Sequence, residues 1–186
     1  MSTRSNIAFR LYNGTIISVY CHWDGYPTNN GEILLRSYKD EEKIVSLLRG
    51  GAFSALRPNI KKIAYYAKNN KADWEYSKPS FYATEEDWLK GNLEEWGYLY
   101  KDGAWFVVDC HCKTEDRKLV PLTKSYIEDY DKQEKKEYLR YAFERDEKKP
   151  FTYEVLRDKF GVTKKMAKAL FDDGFFAKTK DGFIVI

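Results

Sequence analysis

The residues best suited to chemistry fall in two short strings. All three cysteines and both histidines lie at Cys21-His22 and Cys110-His111-Cys112. A thiolate is a nucleophile and a soft metal ligand, and imidazole is both a neutral-pH base and a common zinc partner. Each string ends a segment that reads as a β-strand. Side chains alternate along a strand, so Cys110 and Cys112 share one face and His111 points to the other. Were the two strands neighbours, Cys21 or His22 would complete a zinc site with Cys110 and Cys112. Against this, Cys-x-Cys is not the usual spacing of a structural zinc pair, and small thiols on a core face give the same pattern. The alternation also counts against a cysteine nucleophile, because neither histidine faces its own neighbour and a base would have to reach across from the other string. No glycine-rich phosphate loop, nucleophile elbow or carboxylate pair accompanies them. A metal-dependent or cysteine enzyme is therefore a lesser reading, and the sequence favours a binding protein.

The second feature is charge. The chain carries 32 Lys/Arg against 29 Asp/Glu, a net charge of +3. Residues 149–186 hold eight basic and five acidic residues, so the whole excess resides there. Thr152 and Thr163 read as N-caps of two helices, and Gly161 and Gly174 as their stops. Met166, Ala167, Leu170 and Phe171 form the apolar face of the second helix, with Lys164, Lys165 and Lys168 pointing away. Lys178 and Lys180 fall in a terminal hairpin formed by 175–178 and 182–186. Helix, glycine turn, helix and hairpin is the order of a helix-turn-helix with a wing, whose second helix enters the major groove while the wing meets the backbone. The five lysines are candidate phosphate contacts to DNA. No Arg, Asn or Gln lies on that helix to read base edges. A solvated or protein-binding face is the alternative.

The third feature is an aromatic loop, Trp23-Asp24-Gly25-Tyr26-Pro27, followed by Thr28-Asn29-Asn30-Gly31. Trp and Tyr are frequent interface anchors, so Trp23, Asp24 and Tyr26 are candidate partner-binding residues. Equally, the rings can fold back onto the core, and Asp24 can serve the turn.

The elements that must position these residues are legible in part. Asn13-Gly14 between 6–12 and 15–22 is a strong hairpin signal. Residues 32–38 read as a helix, and Asp40 caps a second one that ends at Gly50-Gly51. Residues 60–67 read as a strand or short helix, and 68–80 as irregular. Thr84 caps a helix with acids in its first turn. A second hairpin spans 96–112 around Lys101-Asp102-Gly103. Pro121 marks 119–122 as an edge strand. Residues 123–149 read as one or two charged helices.

The string Val19-Tyr20-Cys21-His22-Trp23-Asp24-Gly25-Tyr26-Pro27, the helix with Leu34-Leu35 and Tyr38, and the pair Tyr98-Leu99-Tyr100…Trp105 together resemble a largely uncharacterised family of small proteins found mainly in bacteriophage and prophage genomes. The similarity covers about residues 7–110, and this chain departs from the family pattern at residues 67–73. The resemblance implies a phage accessory protein that binds a host or phage macromolecule, in host takeover or counter-defence, within the host cytoplasm.

Composition sets the remaining bounds. Of the 186 residues 43% are hydrophobic, 17% aromatic and 33% charged, with a mean hydropathy of -0.67. No apolar run approaches the roughly 20 residues of a membrane span, and no secretory leader is apparent at the N-terminus. Three cysteines without a leader suit free thiols in a reducing compartment. The expected fold is α+β: a mixed or antiparallel sheet from two hairpins covered by helices (1–122), a charged helical connector (123–149), and a helix-turn-helix-like tail (150–186). The expected function is non-catalytic binding of a host protein or nucleic acid, with a DNA-binding regulator as the alternative. No cofactor is expected beyond the zinc weighed above. The sequence leaves the oligomeric state open.

Overall fold

The Asn13-Gly14 turn joins β1 (Ser5–Arg10) to β2 (Ile16–Trp23), with Ser5 opposite Cys21 and Arg10 opposite Ile16. Gly14 takes the left-handed conformation (φ 88°), and the Asn13 carboxamide accepts from the Thr15 amide. These observations come from a computed structural model that describes residues 3–67 and 71–186. The Trp23–Gly31 segment, expected to be a plain loop, coils into one wide turn at Pro27–Gly31 that feeds α1 (Glu32–Ser37). Asp40 caps α2 (Glu41–Arg49) through the Lys43 amide, as its residue type predicts.

Next come β3 (Phe53–Ala55), a turn of 3-10 helix at Ile60–Lys62, and α3 (Lys71–Ser77). The helix replaces part of the irregular stretch expected at 68–80, of which 68–70 lie outside the described residues. It is secured by a tertiary contact: the Ser77 carbonyl accepts from the Ala52 amide at 2.6 Å. After β4 (Ser80–Tyr82), Thr84 and Asp87 form a reciprocal capping box that starts α4 (Glu85–Lys90). The second hairpin, β5 (Trp96–Lys101) and β6 (Ala104–Asp109), turns at Asp102-Gly103, both at positive φ. β7 (Val120–Pro121) closes the sheet edge.

The seven strands form one mixed sheet in the order β3-β2-β1-β5-β6-β7, with β4 also paired to β2. The two hairpins are joined by a parallel pairing of β1 and β5, Ile7 opposite Tyr98. Alternation then sorts side chains onto two faces. On one, Tyr98 and Trp105 lie under the chain that carries α1 and α2: the Tyr98 hydroxyl donates to the Gly25 carbonyl at 2.7 Å and the Trp105 indole to the Tyr38 carbonyl at 2.7 Å. On the other, Ala8, Ile16, Leu99 and Val108 pack with Trp88 of α4. Trp88 is fully buried and its indole N–H donates to the Ser18 hydroxyl at 3.1 Å, which satisfies the ring's one polar atom.

A single helix, α5 (Lys124–Arg145), replaces the connector. The chain divides into two compact units after Ile127, so most of α5 belongs to the C-terminal unit. Leu139, Ala142 and Phe143 enter its core with Leu156, Val162, Ala167 and Leu170. α6 (Tyr153–Phe160) and α7 (Lys164–Asp172) follow, capped by Thr152 and Thr163 through the Val155 and Met166 amides. Gly161 ends α6 at φ 63°. The hairpin β8 (Phe176–Thr179) and β9 (Gly182–Val185) completes the unit. Phe151, between α5 and α6, bridges Phe183 of β9. Among the described residues no helix is long and apolar enough to cross a membrane.

Candidate functional site

The two Cys/His strings do not meet. Cys21 lies opposite Ser5, Ser5 opposite Trp96, and Trp96 opposite Asp109. Asp109, and not Cys110, therefore shares the face and level of Cys21. Three strand spacings of about 4.8 Å, roughly 14 Å in all, separate β2 from β6. Cys21 is fully buried, Cys110 is half-buried and packs in the Trp88 cluster, and Cys112 is exposed. Burial raises the Cys21 thiol and pushes Cys110 up to about 11, which keeps both protonated at neutral pH. The His22 Nδ1 pairs with the Tyr20 hydroxyl at 2.7 Å, and the His111 Nδ1 with the Asp109 carboxylate at 2.7 Å. Among the described residues no three of Cys, His, Asp and Glu converge as a metal site requires.

The aromatic string has a structural use that its residue types explain. Asp24 sits at φ 58°, and its carbonyl accepts from the Asn29 carboxamide at 3.1 Å. Gly25 lies against the start of β1: a Cβ there would stand 2.5 Å from the Arg4 carbonyl carbon and oxygen. The fully buried Asn30 donates to the Ser5 hydroxyl at 3.0 Å and contacts the Cys21 sulfur at 3.4 Å. Cys21 is thus a partner in a buried polar network that pins the Pro27–Gly31 turn to the sheet. Tyr26 is half-buried, whereas Trp23 is 45% exposed and stands edge-on to His22 at 4.6 Å.

The lysines of the C-terminal unit fare differently. On α7, Lys164 and Lys168 line one cleft of about 300 Å³ with Lys178 of β8. Three aromatic rings complete its wall: Tyr153 of α6, Phe171 of α7 and Phe183 of β9. No acidic side chain lines it. Lys165 is exposed on the same helix and Lys180 at the hairpin tip. Among the described residues Lys164, Lys165, Lys178 and Lys180 make no ion pair, while Lys168 pairs with Asp172 at 2.5 Å. Elsewhere in the unit cations are engaged: Lys132 and Lys136 hold Asp173, and Lys136 and Arg140 lie over the Phe175 ring at 5.6 and 5.0 Å.

Phe171 corrects the sequence reading. Assigned to the apolar face of α7, it is 46% exposed and lines the lysine cleft. Seven residues is nearly two helical turns, so Phe171 falls almost directly in line with Lys164. The spacing held that signal, and adjacency to the buried Leu170 obscured it. Tyr153 and Phe183 carried no such signal, because only the folded hairpin brings them beside α7.

From α5 the unit runs through the Phe151 bridge, α6, the Gly161 turn, α7 and the β8–β9 hairpin, which is the element order expected of the tail. No family model, curated protein or solved structure matches the chain.

Proposed function

We propose that the protein works by binding rather than by catalysis, and that its C-terminal unit binds DNA through α7 and the β8–β9 hairpin. One observation carries this reading: lysines from two separate elements, Lys164 and Lys168 of α7 and Lys178 of β8, converge on a cleft that no acidic side chain lines. A physical oddity supports it. Lys164 and Lys165 occupy the first turn of α7, where no acid is present and where positive charge opposes the helix dipole. In contrast, α2, α4 and α6 all open with acids. An arrangement that costs helix stability makes sense where a polyanion is to be met. The absence of Arg, Asn and Gln from α7 makes these contacts ones to phosphate, with little reading of base edges. In the phage setting that the resemblance implies, this is an accessory function in host takeover or counter-defence.

The test is the salt dependence of binding to a fluorescent DNA by the full chain. Five neutralised phosphates on a duplex give a log–log slope of about −4.5, a loss of roughly 500-fold between about 50 and 200 mM salt. The variant with Lys164, Lys165 and Lys168 all changed to Glu should keep its circular dichroism and lose binding. Unchanged affinity in that variant would refute the proposal.

Recognition of a host protein through the N-terminal unit is a second reading, favoured by the exposed Trp23 ring. A protein partner lost on Trp23→Ala and kept by the lysine variant would support it.

A further inference from the structure

The walls of the C-terminal cleft say more than its charge does. Phosphate binding alone asks only for accessible cations, yet here three aromatic rings from α6, α7 and β9 line the recess beside the lysines. Phe171 is 46% exposed although Ala167 and Leu170 on the apolar side of α7 are buried and Met166 is partly so. Exposing a large ring on a lysine-bearing stripe costs solubility and contributes little to the core. At about 300 Å³ the recess is open to the surface and has the size of a site for a single ring system, at the low end of the roughly 300–1,000 Å³ range of small-molecule sites. A base inside a duplex cannot enter such a recess; an unstacked base can, with its flanking phosphates beside Lys164, Lys168 and Lys178. Exposed aromatic faces bracketed by cations are how proteins hold single strands without regard to sequence. The missing base-edge readers on α7 suit the same ligand.

On the reading that this unit binds DNA, we infer that its cleft is a stacking site for an unpaired base, with Phe171 as the platform, and that single-stranded DNA is the preferred ligand.

The experiment compares a labelled oligothymidine with a blunt duplex of equal length, using the full chain in fluorescence anisotropy. Wild-type protein should bind the single strand several-fold more tightly. Phe171→Ala should weaken single-strand binding roughly tenfold, the loss of one base–aromatic stack, and leave duplex binding nearly unchanged. Phe171→Trp should retain affinity. It also places a tryptophan in a unit that has none, since all five lie before Ile127, and base stacking should quench its emission. Equal or tighter duplex binding with a neutral Phe171→Ala would overturn the stacking site and leave phosphate binding standing. Tighter binding of an RNA strand would overturn the assignment to DNA. Binding of neither nucleic acid would remove this inference and the DNA reading together.

Discussion

The two units of the molecule use their chemically conspicuous residues in opposite ways. In the N-terminal unit Cys21, His22, Asp24 and Asn30 belong to the most motif-like stretch of the chain, and the fold uses half of these residues to pin a turn to the sheet. Cys21 and Asn30 are fully buried, and Gly25 is pressed against the Arg4 backbone. In the C-terminal unit the lysines belong to no recognisable string, yet they stand exposed around a cleft. A tight pattern of Gly, Pro, Asn and Cys is thus accounted for by a backbone shape. Scattered lysines become a site only once a hairpin folds back beside a helix.

This contrast can be broken at its strongest point first. Gly25→Ala should destabilise the N-terminal unit by about 3 kcal/mol, the upper end of overpacking costs because the clash is with backbone. The reading by chemical denaturation should show this loss while DNA affinity stays as in wild type; reduced affinity in a still-folded variant would give the string a binding role.

A smaller effect has two signs. Changing Lys164 and Lys165 together to Glu should lower DNA affinity by about tenfold or more. It should also raise the stability of the C-terminal unit by about 0.5–1 kcal/mol, because acids complement the helix dipole where lysines oppose it. A variant that loses both stability and binding would mean the lysines are structural.

The smallest effect concerns the thiols. Near pH 8, alkylation followed by mass spectrometry should modify exposed Cys112 first, Cys110 slowly and Cys21 only on unfolding. The Cys110 rate should keep rising with pH toward about 11, because burial keeps its folded-state thiol protonated above the ordinary value of 9.0. The linkage has a definite sign: the folded state holds a proton that the unfolded state releases, so this group's contribution to stability falls as pH rises from about 9 toward 11. Fast alkylation of Cys21 or Cys110 at neutral pH would instead mark an activated nucleophile.

The parts of this molecule that were legible in sequence are those set by local chemistry. Asn13-Gly14 and Asp102-Gly103 dictate hairpins, and Asp40, Thr84, Thr152 and Thr163 cap the helices they precede. The parts that were not legible depend on distant partners. The parallel pairing of β1 with β5 joins residues some ninety positions apart, such as Ile7 and Tyr98. α3 depends on its contact with Ala52, and α5 looked like a connector because residues 131–137 contain nothing apolar. Its Lys132 and Lys136 nonetheless bind Asp173, and its last turns supply Leu139 and Phe143 to the second core. Five lysines of the candidate site were visible as charge; the aromatic wall was not, because it draws one ring from each of three elements.

Lysine footprinting reads the DNA contacts residue by residue: the full chain is acetylated briefly with and without DNA, and each lysine is read by mass spectrometry. Lys164, Lys165, Lys168, Lys178 and Lys180 should be protected, and the exposed Lys61, Lys62 and Lys118 of the N-terminal unit should be unchanged. Protection confined to the N-terminal unit, or none where DNA is bound, would contradict a DNA site on the C-terminal unit.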